Sequence, residues 1–152
     1  MSDADRVAIQ ALLNRLYEAW ADGDGRAYAN CFTECSDYVA FNGIHLRGRD
    51  ENARMHDALL RNVLKDTRLS AQTESIDLLA SGVALVHTSG AGPVRNGSAN
   101  SKVKSVQTFV LVRGADGWRI RSFQNTRRRP FSIWLTSKLT GLQRPRLGHA
   151  RP

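Results

Sequence analysis

His56, Gln107, Asn125 and Arg121 are the residues through which this chain could do chemistry. His56 falls on an apolar stripe with Asn52, Met55, Leu59, Leu60 and Val63 at helical spacing, so its ring points inward. A partly buried imidazole titrates near neutrality and serves as acid, base or hydrogen-bond donor. The competing reading is a core histidine bonded to a carbonyl or a side chain. Gln107 and Asn125 are strand amides that orient a ligand oxygen if they face a cavity, and otherwise satisfy strand ends at the surface. Arg121 is an anion clamp if inside and a plain surface arginine if outside.

The strand from Trp118 to Thr126 follows an Asp116-Gly117 turn and sets Trp118 and Ile120 against Arg119 and Arg121. The alternation then breaks. Phe123 and Asn125 continue the arginine face, while Ser122, Gln124 and Thr126 continue the tryptophan face. An amide pair beside an aromatic suits a polar-lined cavity better than a dry core, because buried amides need partners. Pairing with the 103–113 strand across the Gly114–Gly117 loop sets Gln107 near Phe123 and Ser105 near Asn125. Phe109 and Leu111 then share that face, with Phe109 and Phe123 as an aromatic wall. A register one residue off would put Gln124 in place of Asn125. Tyr17 and Trp20 close the stripe of the first helix, and Phe41 sits near a hairpin tip. Each of the three either packs the core or forms a pocket wall.

The missing motifs narrow the chemistry further. There is no Gly-x-Ser-x-Gly, no Cys/His signature and no serine with an evident base. Gly-x-Gly-x-x-Gly and the phosphate-binding P-loop are absent, so no nicotinamide, flavin or nucleotide cofactor is expected. Histidines 45, 56, 87 and 149 lack ligand spacing, and Cys31 and Cys35 have no second pair, so no metal is expected either. The cysteines read as small semi-buried thiols.

The elements that must position these residues follow from periodicity. A first helix, opened by a Ser2/Asp5 capping box, carries Ile9, Leu12, Leu13, Leu16, Tyr17 and Trp20 and stops at Gly23 and Gly25. A short helix over 26–32 turns Ala27, Tyr28, Cys31 and Phe32 inward. A hairpin follows, strand 37–41, Asn42-Gly43, then strand 44–46, and a third helix spans 50–65. Strands are expected over 69–79, 83–91, 103–113 and 118–126, with a Gly/Ser/Asn loop over 92–101. Helices followed by an antiparallel meander make an α+β domain. A weak amphipathic helix is expected over 131–142, and disorder beyond Arg144.

At 152 residues the chain reads as one domain, 1–130, with a basic extension, 131–152. The net charge of +8 is concentrated at the end. Residues 127–152 hold seven Lys/Arg and no acid, leaving 15 bases against 14 acids in residues 1–126. The near-neutral body argues against nucleic acid as a partner. No apolar run reaches membrane-spanning length and the N-terminus has no secretory form, so neither membrane nor export is expected and the default location is cytoplasmic.

Taken in order, several segments are familiar together. Leu16-Tyr17-Glu18-Ala19-Trp20-Ala21-Asp22-Gly23-Asp24, Asp37-Tyr38-Val39-Ala40-Phe41-Asn42-Gly43, Leu46-Arg47-Gly48-Arg49 and Ser105-Val106-Gln107-Thr108 are four of them. Gly117-Trp118-Arg119-Ile120 and Phe123-Gln124-Asn125-Thr126-Arg127 complete the series. Over about residues 4–130 the chain resembles the nuclear transport factor 2-like superfamily, and within it the SnoaL-like proteins of the small SgcJ/EcaC type. The resemblance implies a cone of three helices on a strongly curved, mostly antiparallel sheet, with a pocket at its wide end. It further implies a homodimer through the sheet, a hydrophobic small-molecule ligand and a link to enediyne polyketide biosynthesis, with a polyketide synthase as partner. By position it places His56 and Asn125 among the pocket residues, and Tyr17, Trp20, Phe41, Gln107, Phe109, Arg121 and Phe123 are the further ligand contacts expected from the residues themselves. Cyclisation or isomerisation without a cofactor is the implied reaction, and a non-catalytic binder is the alternative. An oxidoreductase role has no redox motif to support it.

Overall fold

A computed structural model of the chain describes residues 2–90, 92–95 and 104–141. Helix α1 (Asp3–Ala21) starts where the Ser2 hydroxyl accepts from the Asp5 N–H at 3.1 Å. It buries Ile9, Leu12, Leu13, Leu16, Ala19 and Trp20, the stripe set by sequence period. Helix α2 (Gly25–Asn30) is capped by Asp24, whose carboxylate accepts from the Ala27 N–H at 2.8 Å. Removing that cap in Asp24→Ala is expected to cost about 1 kcal/mol, read as a lower urea midpoint at unchanged slope.

Strand β1 (Phe32–Val39) and strand β2 (His45–Arg47) form the hairpin around Asn42-Gly43, and helix α3 (Gly48–Arg61) follows. Short strand β3 (Thr67–Leu69) precedes β4 (Gln72–Ala80), β5 (Val83–Ser89) and β6 (Pro93–Arg95). The chain closes with β7 (Ser105–Gly114), β8 (Gly117–Arg127) and helix α4 (Pro130–Thr140). Six strands form one sheet in the order β2-β1-β8-β7-β5-β4, and β3 pairs with β6 as a separate ribbon. No helix among the described residues is long and apolar enough to cross a membrane.

Four expectations change. The expected single strand 69–79 is split between β3 and β4, and β6 falls inside the expected loop over 92–101, whose positions 96–101 lie outside the described residues. β1 is longer than its apolar core and pairs with β8 in parallel, so the sheet is mixed rather than a pure meander. Helix α3 stops at Arg61, leaving Val63 beyond it and 69% exposed. The expectations for residues 142–152, including disorder after Arg144, lie outside the described residues.

The most informative change concerns the strand whose pattern broke. Val110 pairs with Ser122 and Leu111 with Ile120, so Arg121 is an extra residue on β8, a β-bulge. The bulge moves Phe123 and Asn125 onto the same face as Trp118 and Ile120. It also shifts the register from the expected one: Gln107 lies opposite Asn125, Phe109 opposite Phe123 and Ser105 opposite Arg127. Arg119 and Arg121 are thereby excluded from the inner face.

Candidate functional site

Inside the curve of the sheet, His56 is enclosed by three aromatic rings from three elements. Tyr28 of α2 stacks on it at 4.2 Å between centroids, while Trp20 of α1 and Tyr38 of β1 meet it edge-on at 5.7 and 5.1 Å. The ring is 1% exposed. Its Nδ1 lies 2.9 Å from the Asn52 carbonyl oxygen one turn earlier. A carbonyl only accepts, so Nδ1 carries the proton and Nε2 holds the lone pair. Burial lowers the His56 pKa to about 4, with the bond to Asn52 pulling weakly the other way. Burial therefore favours the neutral ring at physiological pH, with its one proton held by the Asn52 carbonyl.

Next to this cage the aromatic wall continues outward along the sheet. Tyr38 stacks on Phe123 at 4.5 Å, and Phe123 meets Phe109 at 4.8 Å. Beyond them the inner face turns polar. Gln107 and Asn125 lie opposite each other on β7 and β8, and the Thr88 hydroxyl donates to Gln107 Oε1. Burial pushes the Tyr17 phenol up to about 12, while the Thr88 hydroxyl nearby pulls slightly down. The Tyr17 hydroxyl and Asn125 Oδ1 are buried without a hydrogen-bond partner of good geometry, as are both polar atoms of the Asn52 side chain. Native proteins rarely leave such atoms unmatched, because each costs about 1–3 kcal/mol.

The structure thus brings together His56, Trp20, Tyr17, Gln107, Phe109, Phe123 and Asn125. Trp20 contributes only its face, since its Nε1 donates to the Thr67 hydroxyl at 3.1 Å. Two expected residues are elsewhere. Arg121, displaced by the bulge, donates to Asp37 at 2.7 Å on the outer face, where Asp37 also meets His45 at 2.9 Å. The Arg121 and His45 hydrogen bonds hold the Asp37 carboxyl below its ordinary range. Phe41 is 57% exposed in the β1–β2 turn. Sequence reasoning had not singled out Tyr28, Tyr38, Asn52 and Thr88 as site residues. Two of them carry a signal: Asn52 is an amide on the same helical stripe as His56, and Tyr28 is turned inward by the period of the second helix. Among the described residues no group of His, Cys, Asp or Glu side chains is arranged to hold a metal.

Comparison with known proteins agrees with this geometry. Residues 9–125 match the SnoaL-like domain family. No curated protein matches the chain. A domain of unknown function with a cystatin-like fold from Nostoc punctiforme is similar, at 28% identity over 94% of this chain and 90% of that one, with a TM-score of 0.79. A nuclear transport factor 2-like protein of unknown function from Shewanella oneidensis superimposes with a TM-score of 0.67 at 22% identity, covering 80% of this chain and 98% of that one. A ketosteroid isomerase-like protein from Erwinia carotovora atroseptica gives 0.65 at 15%, covering 85% of this chain and all of the other. A family match over most of the chain, joined to a curved sheet with an aromatic and amide-lined inner face, makes this chain a member of the SnoaL-like family with the nuclear transport factor 2-like, cystatin-like fold.

Proposed function

We propose that the chain binds an apolar small molecule inside the cone and isomerises or cyclises it without a cofactor. The observation that carries this reading is the Gln107–Asn125 pair facing the same interior as an aromatic wall, with the Tyr17 hydroxyl and Asn125 Oδ1 unmatched by protein. On this reading the amides and phenol hold a ligand oxygen, and the aromatics exclude water. His56 Nε2 accepts a proton from the ligand and returns it at another atom. A conjugate acid with a pKa of about 4 does not keep a proton, which suits such a shuttle better than net acid catalysis. A polyene or polyketide-derived intermediate, of the enediyne type, fits an elongated apolar wall with one polar end. The SgcJ/EcaC-like segments support that choice, and a polyketide synthase would then be the natural partner. A homodimer through the sheet is part of the same proposal. Its support is the outer face, where Leu85 lies beside Val110 and Val83 beside Val112.

Titration with a neutral linear conjugated polyene bearing one terminal hydroxyl, followed by quenching of tryptophan emission, tests the pocket. Wild type is expected to bind, and Gln107→Leu to bind about tenfold more weakly through one lost hydrogen bond. Failure of wild type to bind sinks the pocket reading. Equal affinity of the two proteins removes Gln107 from it. A bound polyene recovered with no double bond shifted and no ring formed points instead to the second reading, a carrier without turnover.

A further inference from the structure

A second groove lies outside the cone, between α4 and the outer face of the sheet. It encloses about 920 Å³, and its lining draws on β1, β8, β7, β5 and β4. Crossing those five strands takes four inter-strand spacings, roughly 19 Å. The apolar surfaces are Val39 and Val106 on the sheet, Ala40 and Phe41 in the β1–β2 turn and Ile133 on α4. Consecutive arginines, Arg127, Arg128 and Arg129, form one wall, and none is in an ion pair among the described residues. Glu74, three strands away from β8, accepts from the Ser89 hydroxyl. The three arginines and α4 lie beyond residue 125, where the family match ends.

An apolar floor with a single uncompensated cationic wall fits a molecule that is long, apolar and anionic at one end. A second anionic group would meet Glu74. We infer that this groove binds a long-chain monocarboxylate, its carboxylate on Arg127–Arg129 and its chain laid over Val39 and Val106 beneath Ile133. Arginine suits the head because its planar fork pairs carboxylate bidentately. Asn125 also lines this groove, while the other groove-lining residues are not among those that face the cone, so the two ligands bind at once.

Calorimetric titration with dodecanoate below its micellar concentration, alongside dodecanol, tests this. Dodecanoate is expected to bind at least tenfold tighter than dodecanol, and the Arg127→Gln/Arg128→Gln/Arg129→Gln protein to bind both alike. Val106→Trp should abolish binding by filling the floor. Val106 is 37% exposed, so the fold tolerates the larger ring, and Ile133→Asp on α4 is the second variant should that protein be unstable. The neutral polyene should not displace dodecanoate. Equal binding of the two amphiphiles by wild type overturns the inference, as does full binding by both Val106→Trp and Ile133→Asp. So does displacement by the polyene, or association with anionic vesicles in place of free dodecanoate. None of these results touches the cone reading, which fails only with the polyene itself.

Discussion

Replacing His56 with alanine is expected to destabilise the protein by about 3 kcal/mol at pH 7 and by well under 1 kcal/mol at pH 4. The cost at pH 7 is packing. An imidazole that is 1% exposed and touches Trp20, Tyr28 and Tyr38 leaves a cavity that three rings from three elements cannot close together. The change with pH comes from the proton. His56 has a pKa of about 4 in the fold against an ordinary 6.5. As pH falls from 6.5 to 4 the unfolded chain takes up a proton that the native ring refuses, so this group's stability is full above 6.5 and declines down to 4. At about 1.4 kcal/mol per tenfold, the gap amounts to roughly 3 kcal/mol, close to what the cavity costs. Alanine removes both terms. Asp5 and Asp37, whose pKa values are lowered below 3.8, lose their contributions in a more acidic window and do not obscure the comparison. Urea unfolding of both proteins at the two pH values decides it. An equal cost at both would mean that His56 is not held neutral.

The same substitution separates the two functional readings. If Nε2 moves a proton on the bound ligand, His56→Ala loses turnover by at least about a hundredfold while polyene affinity changes little. A purely structural histidine would move affinity and turnover together, by loosening the aromatic cage.

How the sequence announced this site differs from residue to residue. His56 was visible because its neighbours on α3 repeat at helical spacing, and that local pattern survives folding. Gln107 and Asn125 were recognisable as a pair, but their register was not, since a bulge at Arg121 adds one residue where alternation alone counts none. The broken pattern of β8 was itself the trace of that bulge. Strict period-two alternation turns it into two mixed faces because it has no place for an inserted residue. Tyr28 was correctly turned inward, yet nothing near it in sequence says that its ring meets His56 at 4.2 Å. That contact depends on how closely two helices approach. The parallel pairing of β1 with β8 and the ribbon of β3 with β6 are joined across long stretches of chain, where local propensity is silent.

Gly25→Ala is expected to cost about 3 kcal/mol and to separate Tyr28 from His56. Helix propensity by itself predicts the opposite sign, since alanine is better than glycine by up to about 1 kcal/mol, the interior value, and Gly25 is the first residue of α2. Space decides otherwise. A Cβ on Gly25 would stand 2.8 Å from the Asp57 Cα and closer still to its backbone nitrogen. Those are main-chain atoms of α3, so no side chain can swing away and the two helices must part. Asp57 is the residue after His56, so any displacement passes directly to the imidazole and its stack. Overpacking of this kind costs about 1–3 kcal/mol and more when the obstacle is backbone, which exceeds the propensity gain. Gly23→Ala is the control. It has φ +73° and nothing within 4 Å of the added carbon, so it should cost only the left-handed backbone penalty of about 1–2 kcal/mol and leave the cage intact. Urea midpoints give the two costs, and near-ultraviolet circular dichroism reports the Trp20, Tyr28 and Tyr38 cage. A Gly25→Ala protein as stable as wild type would show that α2 and α3 do not approach this closely, and that something else holds Tyr28 against His56.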